Sequence, residues 1–248
     1  MIYLKTPDEI NTMEKANKIL AEIFELVAEV IEEGMSAYDL DKFVEDEIKK
    51  RGALPAFKGY NGYPSATCVS VNEEVIHGLP RRDKIFKNGD IVSLDVGTVY
   101  DGYYGDAART YIIGEADERT RELYRVTKEA LDIGISRAIV GNRIGDISSA
   151  IQNHVESHGF SVIRDFVGHG IGRNLHEAPQ IPNYGSPGRG PLIMEGMTLA
   201  IEPMTSMGDW RVRILDGWTV VTVDGSRSAH FEDTIAVLRD RVRILSRL

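Results

Sequence analysis

One cysteine, Cys68, stands alone among 248 residues. It excludes an internal disulfide framework and fits a reducing, cytoplasmic setting. No run of about 18 apolar residues occurs, so a membrane-spanning helix is not expected. The opening Met1-Ile2-Tyr3-Leu4-Lys5-Thr6-Pro7 lacks the apolar core of a secretory leader. Positive charge is in deficit, with 29 Lys and Arg against 38 Asp and Glu. A formal net charge of −9 argues against extensive binding to nucleic-acid phosphates. The small basic clusters, Lys49-Lys50-Arg51 and Arg81-Arg82-Asp83-Lys84, read as solvated faces. A P-loop, a Gly-x-Ser-x-Gly nucleophile elbow and a helical His-Glu-x-x-His zinc motif are all missing. What is present is a chain with 42% hydrophobic residues, long enough to bury a sizeable core as one domain spanning 1–248.

Helix signals come first. Thr6 suits an N-cap, Pro7 the first helical position and Glu9 a capping box. An apolar stripe (Ile10, Met13, Leu20, Phe24, Val27, Ile31) predicts a helix running to Gly34. A second helix is expected from near Ser36 and Asp39 to Gly52, a third over 118–140 and a fourth over 145–158. The pattern repeats. Gly34, Asp39-Leu40 and Gly52 lie 107 positions before Gly141, Asp146-Ile147 and Gly159. The same offset carries Ile91-Val92-Ser93-Leu94-Asp95 onto Thr198-Leu199-Ala200-Ile201-Glu202. Strand-like runs fall at 67–71, 90–99, 103–113, 161–167, 197–202, 218–223 and 230–238. The chain therefore reads as α+β, built from two related helix-plus-sheet halves (1–113 and 114–248) with acids converging between them.

Those acids occupy awkward places. Asp101-Gly102 predicts a tight hairpin turn, which sets Asp95 opposite Ala108 and puts Asp106 on the same sheet face. Such diagonal neighbours are about 7–8 Å apart at Cα. Val92, Leu94 and Val96 would face the helices instead. Glu202 and Glu232 also lie within apolar strands. Ionised carboxylates there would repel one another and lack water, so either protons or cations must compensate them.

Histidine offers nitrogen. Gly168-His169-Gly170-Ile171-Gly172-Arg173-Asn174-Leu175-His176 places two imidazoles seven residues apart, among glycines that would allow unusual backbone angles and close approach of groups to the imidazoles. His77 also precedes a glycine. By alternation, His230 would share a strand face with Glu232 and border the site, with a structural role favoured over a catalytic one. His154 and His158 belong to a polar helix and are given no catalytic part.

Phe166-Val167-Gly168-His169-Gly170-Ile171-Gly172, followed by His176 and Ile181-Pro182-Asn183-Tyr184, resembles the signature of the type I methionine aminopeptidases, which have the pita-bread fold. The resemblance extends over nearly the whole chain. It implies a dinuclear metallopeptidase that removes initiator methionine from nascent chains with a small second residue, using a metal-bound water or hydroxide. Five metal ligands are implied: Asp95, Asp106, His169, Glu202 and Glu232, with Asp106 and Glu232 bridging. His77 and His176 would contact substrate, and Glu202 would also be the general base. Tyr60, Tyr63, Cys68, Leu175 and Trp218, with Phe57 nearby, would line the methionine pocket. The oxygen-rich set suits two divalent ions drawn from Mn, Fe, Co or Zn.

The resemblance departs from pattern at two places: Leu175 stands where an aromatic is common and Asn61 where many relatives have histidine. Prolidases and aminopeptidase P share the fold but usually carry a large preceding domain, for which this chain has no room. An inactive, peptide-binding module would have lost ligands, and all five are kept. Expected partners are nascent polypeptide N-termini, with transient proximity to the ribosome. No nucleic acid or membrane is expected, and the protein is read as a monomer.

Overall fold

Thr6 caps the first helix as its sequence requires. Its hydroxyl accepts from the Glu9 N–H at 3.3 Å, and Glu9 accepts from the Thr6 N–H at 2.9 Å. The computed structural model describes residues 1–248. Helix α1 spans Pro7–Val30, ending short of Gly34. No basic side chain occupies its last turn, where Glu29 and then Glu32 and Glu33 oppose the helix dipole. Ile31 is extended, and the Gly34 N–H donates instead to Phe86. Ser36 caps α2 (Ala37–Lys50) by accepting from the Asp39 N–H.

Four strands and a turn lead to the first hairpin. These are β1 (Leu54–Pro55), a single 3₁₀ turn at Tyr60–Gly62, β2 (Thr67–Val71), β3 (Glu74–Ile76) and the long β4 (Ile91–Tyr100). Asp101 and Gly102, both with positive φ, then turn the chain into β5 (Tyr103–Ile112). Helices α3 (Glu118–Arg137) and α4 (Ile144–Ser157) follow; α4 begins and ends 107 positions after α2. The remaining strands are short. They are β6 (Ser161–Val162), β7 (Gly168–Gly170), β8 (Glu177–Ile181), β9 (Thr198–Ile201), β10 (Met204–Ser206), β11 (Val212–Ile214), β12 (Val220–Thr222), β13 (Ser228–His230), β14 (Glu232–Val237) and β15 (Val242–Ile244). The run expected at 161–167 thus shrinks to two residues. That at 230–238 is cut at Phe231, whose N–H turns to Pro203 as the chain changes sheets. No helix is long and apolar enough to cross a membrane.

The main sheet has nine strands, ordered β1-β4-β5-β14-β9-β7-β8 with β2 also paired to β4 and β15 to β14. Its register decides which residues share a face. Asp95 lies opposite Ala108, and Ala108 opposite Glu232. Thr234 lies opposite Ala200, and Ala200 opposite His169. Residues directly opposite one another point the same way, as do residues two apart on one strand. Asp95, Asp106, Glu232, Glu202 and His169 therefore all rise from one face, drawn from five adjacent strands.

The alternate residues face the helices. Val92, Leu94 and Val96 pack with Leu20, Ile23, Phe24 and Val27 of α1 and with Leu40, Val44 and Ile48 of α2. Leu199, Ile201, Ile235 and Val237 pack in the same way with α3 and α4 through Leu123, Val126, Leu131, Ile147 and Ile151. Each such side chain contributes roughly 1.5–3 kcal/mol by leaving water. The helix-backed sheet is therefore a rigid floor, and its other face is free to carry polar groups.

Candidate dinuclear metal site

A cavity of about 160 Å³ opens on that face. All thirteen side chains given a site role by the resemblance line it: Phe57, Tyr60, Tyr63, Cys68, His77, Asp95, Asp106, His169, Leu175, His176, Glu202, Trp218 and Glu232. Asn61, Ile76 and His230 line it too. Nothing in the sequence marked Ile76, because β3 is too short to carry an alternation. His230 does border the site, but not by alternation with Glu232: it ends β13, in a different sheet from β14.

At the floor, donor atoms of Asp106, His169 and Glu232 lie within 4.8 Å of one another. The His169 Nδ1–H faces the Gly170 carbonyl at 2.9 Å, which directs Nε2 toward the acids. Nε2 stands 3.5 Å from Glu202 and 3.8 Å from Asp106. Glu202 comes from the end of β9, and Asn183 donates to its carbonyl at 2.9 Å. Three buried carboxylate oxygens have no hydrogen-bond partner: Asp95 Oδ1, Asp106 Oδ1 and Glu232 Oε1. Orphaned acceptors packed together are costly in a folded protein unless a cation meets them. Burial, joined by repulsion among the acids, holds Asp106, Glu202 and Glu232 well above the usual carboxylate range, and burial pushes Asp95 up to about 7. The donor set fits hard divalent ions.

Why glycines flank His169 differs from the expectation. Gly168, Gly170 and Gly172 do not have positive φ. Neighbouring atoms press on them instead: a Cβ at Gly168 would meet the Ala200 carbonyl, one at Gly170 the Ala178 carbonyl, and one at Gly172 the Lys5 side chain. Strand β7 lies between β8 and β9, and at Gly168 and Gly170 the neighbouring backbones leave no room for a Cβ.

The upper walls carry two more imidazoles. His176 Nδ1 is 2.9 Å from the Tyr60 hydroxyl, and its ring meets that of His169 edge-on with centroids 4.4 Å apart. His77 has φ of +57°, a left-handed backbone uncommon for a residue with a side chain, and Phe166 supports its ring edge-on. Burial lowers His77 to about 4 and His169 and His230 to about 3, so all three are neutral near pH 7. Burial lowers His176 as well.

Beside the acids the lining becomes apolar. Phe57, Tyr63, Cys68 and Leu175 belong to one buried cluster against which Tyr60 and Trp218 pack. Tyr63 and Trp218 meet edge-on at 5.2 Å, and the Tyr63 hydroxyl donates to the carbonyls of Thr67 and Gly78. Cys68 lies directly opposite Asp95 in the β2–β4 register, so apolar pocket and acidic floor share an edge. Burial and the Asp95 charge push the thiol up, which keeps Cys68 an uncharged wall. His154 on α4 and His158 at its C-cap sit together, outside this cavity.

Fold and site together define a metal-dependent peptidase built on two similar halves, and a model of metallopeptidase family M24 matches residues 11–239. The chain belongs to that family and, within it, to the methionine aminopeptidases. It is 52% identical to a methionine aminopeptidase of Clostridium perfringens over 99% of both chains. It is 49% identical to methionine aminopeptidase 1 of Bacillus subtilis over 100% of both. The crystal structure of a methionine aminopeptidase from Thermotoga maritima superposes with a TM-score of 0.98 at 59% identity, covering 100% of both chains. A prolidase from Pyrococcus horikoshii is more distant, with a TM-score of 0.80 and 26% identity; the match spans 98% of this chain but 63% of that one. The pita-bread fold is thus established.

Proposed function

We propose that this chain removes the N-terminal methionine from polypeptides whose second residue is small, as a type I enzyme with two divalent ions at its acidic floor. One observation carries the reading. A pocket suited to one unbranched apolar side chain abuts a cluster of orphaned carboxylate oxygens, with Cys68 opposite Asp95 at the join. A methionine side chain lodged among Phe57, Tyr63, Cys68, Leu175, Tyr60 and Trp218 would bring its own α-amino group beside the acids. Only a chain end can place an amine there. The smallness of the cavity limits the residue that follows.

Asp95, Asp106, His169, Glu202 and Glu232 are the residues that would hold the ions, and Asp106 and Glu232 would serve both. Bound there, divalent ions neutralise the acids, acidify water and polarise the scissile carbonyl. Glu202 would take the proton of the attacking water and return it to the departing amine. His77 and His176, neutral and fixed by Phe166 and Tyr60, would donate to the reacting carbonyl and the substrate backbone. We read residues 1–113 and 114–248 as halves of one catalytic unit and nascent chains as the substrates.

The two kinds of histidine separate experimentally. His169→Ala should lose metal and turnover together, because it removes the imidazole ligand. His176→Ala should keep its metal, measured by elemental analysis after dialysis, while kcat falls about 10²-fold or more. Full turnover in His169→Ala contradicts the ligand assignment, and an empty centre in His176→Ala contradicts the substrate-facing role.

A further inference from the structure

The two halves of the sheet meet between β5 and β14, and the ladder there is short. Only Ala108 with Glu232 and Ala107 with Asp233 pair across it, whereas β4 and β5 pair from Ile91 to Tyr100 without a break. Asp106 and Glu232, the acids assigned to both ions, stand on opposite sides of this weak seam. Their separation must be kept to a few tenths of an ångström if they are to share ions.

Two side chains cross the seam to the main chain of the opposite acid. Thr234 on β14 donates from its hydroxyl to the Asp106 carbonyl at 2.7 Å. Arg109 on β5 donates to the Glu232 carbonyl at 2.6 Å. They act from opposite faces, since Thr234 shares the parity of Glu232 while Arg109 alternates with Ala108. Arg109 is itself aimed by Asp233, a fully buried carboxylate that accepts from it at 2.7 Å. Asp233 also accepts from the Ser246 hydroxyl at 2.6 Å and Arg247 Nε at 2.7 Å, which ties the last residues of the chain to the back of the seam. A buried ion pair adds little net stability, because desolvation offsets its attraction. Its geometry, by contrast, is strict.

We propose that Thr234 and Arg109, the latter held by Asp233, are positioning residues that fix the spacing of the Asp106 and Glu232 carboxylates and thereby set the metal affinity of the centre. The proposal rests on the ligand assignment made above. It predicts effects on ion binding from residues that touch neither ion nor substrate.

The test is calorimetric titration of Mn(II) into the chelator-stripped full chain, for wild type, Thr234→Ser, Thr234→Val, Arg109→Lys and Arg109→Met. Each stripped variant is also melted. Thr234→Ser, which keeps the donor, should bind within about twofold of wild type. Thr234→Val, matched in shape, should bind roughly tenfold more weakly while its stripped form melts close to the Thr234→Ser value. Arg109→Met should weaken binding by roughly tenfold or more, with Arg109→Lys between it and wild type. If Arg109→Met does not fold, the Thr234 pair decides, since neither substitution alters charge and Thr234→Val also keeps the side chain's volume. Wild-type affinity in Thr234→Val, or equal weakening in Thr234→Ser, overturns the positioning role. A wild-type protein that binds no Mn(II) overturns the ligand assignment itself and the proposal with it.

Discussion

At the scale of single residues, the candidate site depends on what its neighbours lack. His169 reaches the acids because Gly168 and Gly170 let β7 lie tight between β8 and β9. Gly170→Ala would force a methyl group against the Ala178 carbonyl, and backbone cannot yield there without moving the imidazole. We expect a loss of about 1–3 kcal/mol by thermal or urea unfolding, with weaker Mn(II) binding in the same variant. Unchanged stability would mean that the strands can spread. The acids were legible in the sequence because a carboxylate inside an apolar strand demands an explanation wherever it occurs. The reason for the glycines was not, since the crowding at Gly170 and Gly168 comes from Ala178 and Ala200, eight and thirty-two positions away. His230 was legible as a neighbour of the site only through an alternation that the chain breaks at Phe231.

At the scale of elements, helices were easier to read than strands. Thr6, Ser36 and Gly52 mark helix ends through local chemistry, and the structure uses all three. Strands of two to five residues carry little period: β2, β6, β9 and β12 fall within runs expected from their residue types, whereas β1, β3, β7, β8, β10, β11 and β15 do not. Helix α2 also carries a charge arrangement with a measurable consequence. Glu45, its side chain 3% exposed, accepts from Lys42, Lys49 and Lys58 at 2.6–2.7 Å, and these bonds lower it to about 2. A carboxylate depressed in the folded state stabilises fully above its unfolded value, near 4.3, and that stability disappears as pH falls toward 2. The lysines are about half exposed, so screening reduces the contribution to about 1 kcal/mol. Glu45→Gln should therefore be less stable than wild type at pH 7 and approach it by pH 2.5 in chemical unfolding. A gap that persists at pH 2.5 would point to packing rather than charge.

At the scale of the whole molecule, the 107-residue offset foretold the architecture. It relates α2 to α4 at both ends and brings Asp95 and Glu202 to corresponding strands. Past that point the halves diverge. Eleven residues separate Asp95 from Asp106, while thirty separate Glu202 from Glu232. The extra length forms β10 to β13, which supply Trp218 and His230 to the cavity wall. That insertion hid the second hairpin from a repeat read at constant spacing. Trp218 and His230 from the second half thus join Phe57, Tyr60, Tyr63 and Cys68 from the first in lining one cavity. In the proposed function, substrate choice therefore depends on residues of both halves lining one methionine pocket.

That dependence is tested most directly by methionine release from two peptides, Met-Ala-Ser and Met-Lys-Ser, with chelator-stripped protein resupplied anaerobically with Mn(II), Co(II), Fe(II) or Zn(II). The account predicts no release without metal, release from Met-Ala-Ser with at least one of the ions, and sparing of Met-Lys-Ser under the same conditions. Folded protein that releases methionine from neither peptide with any ion, or that cleaves both equally after thorough stripping, would contradict it.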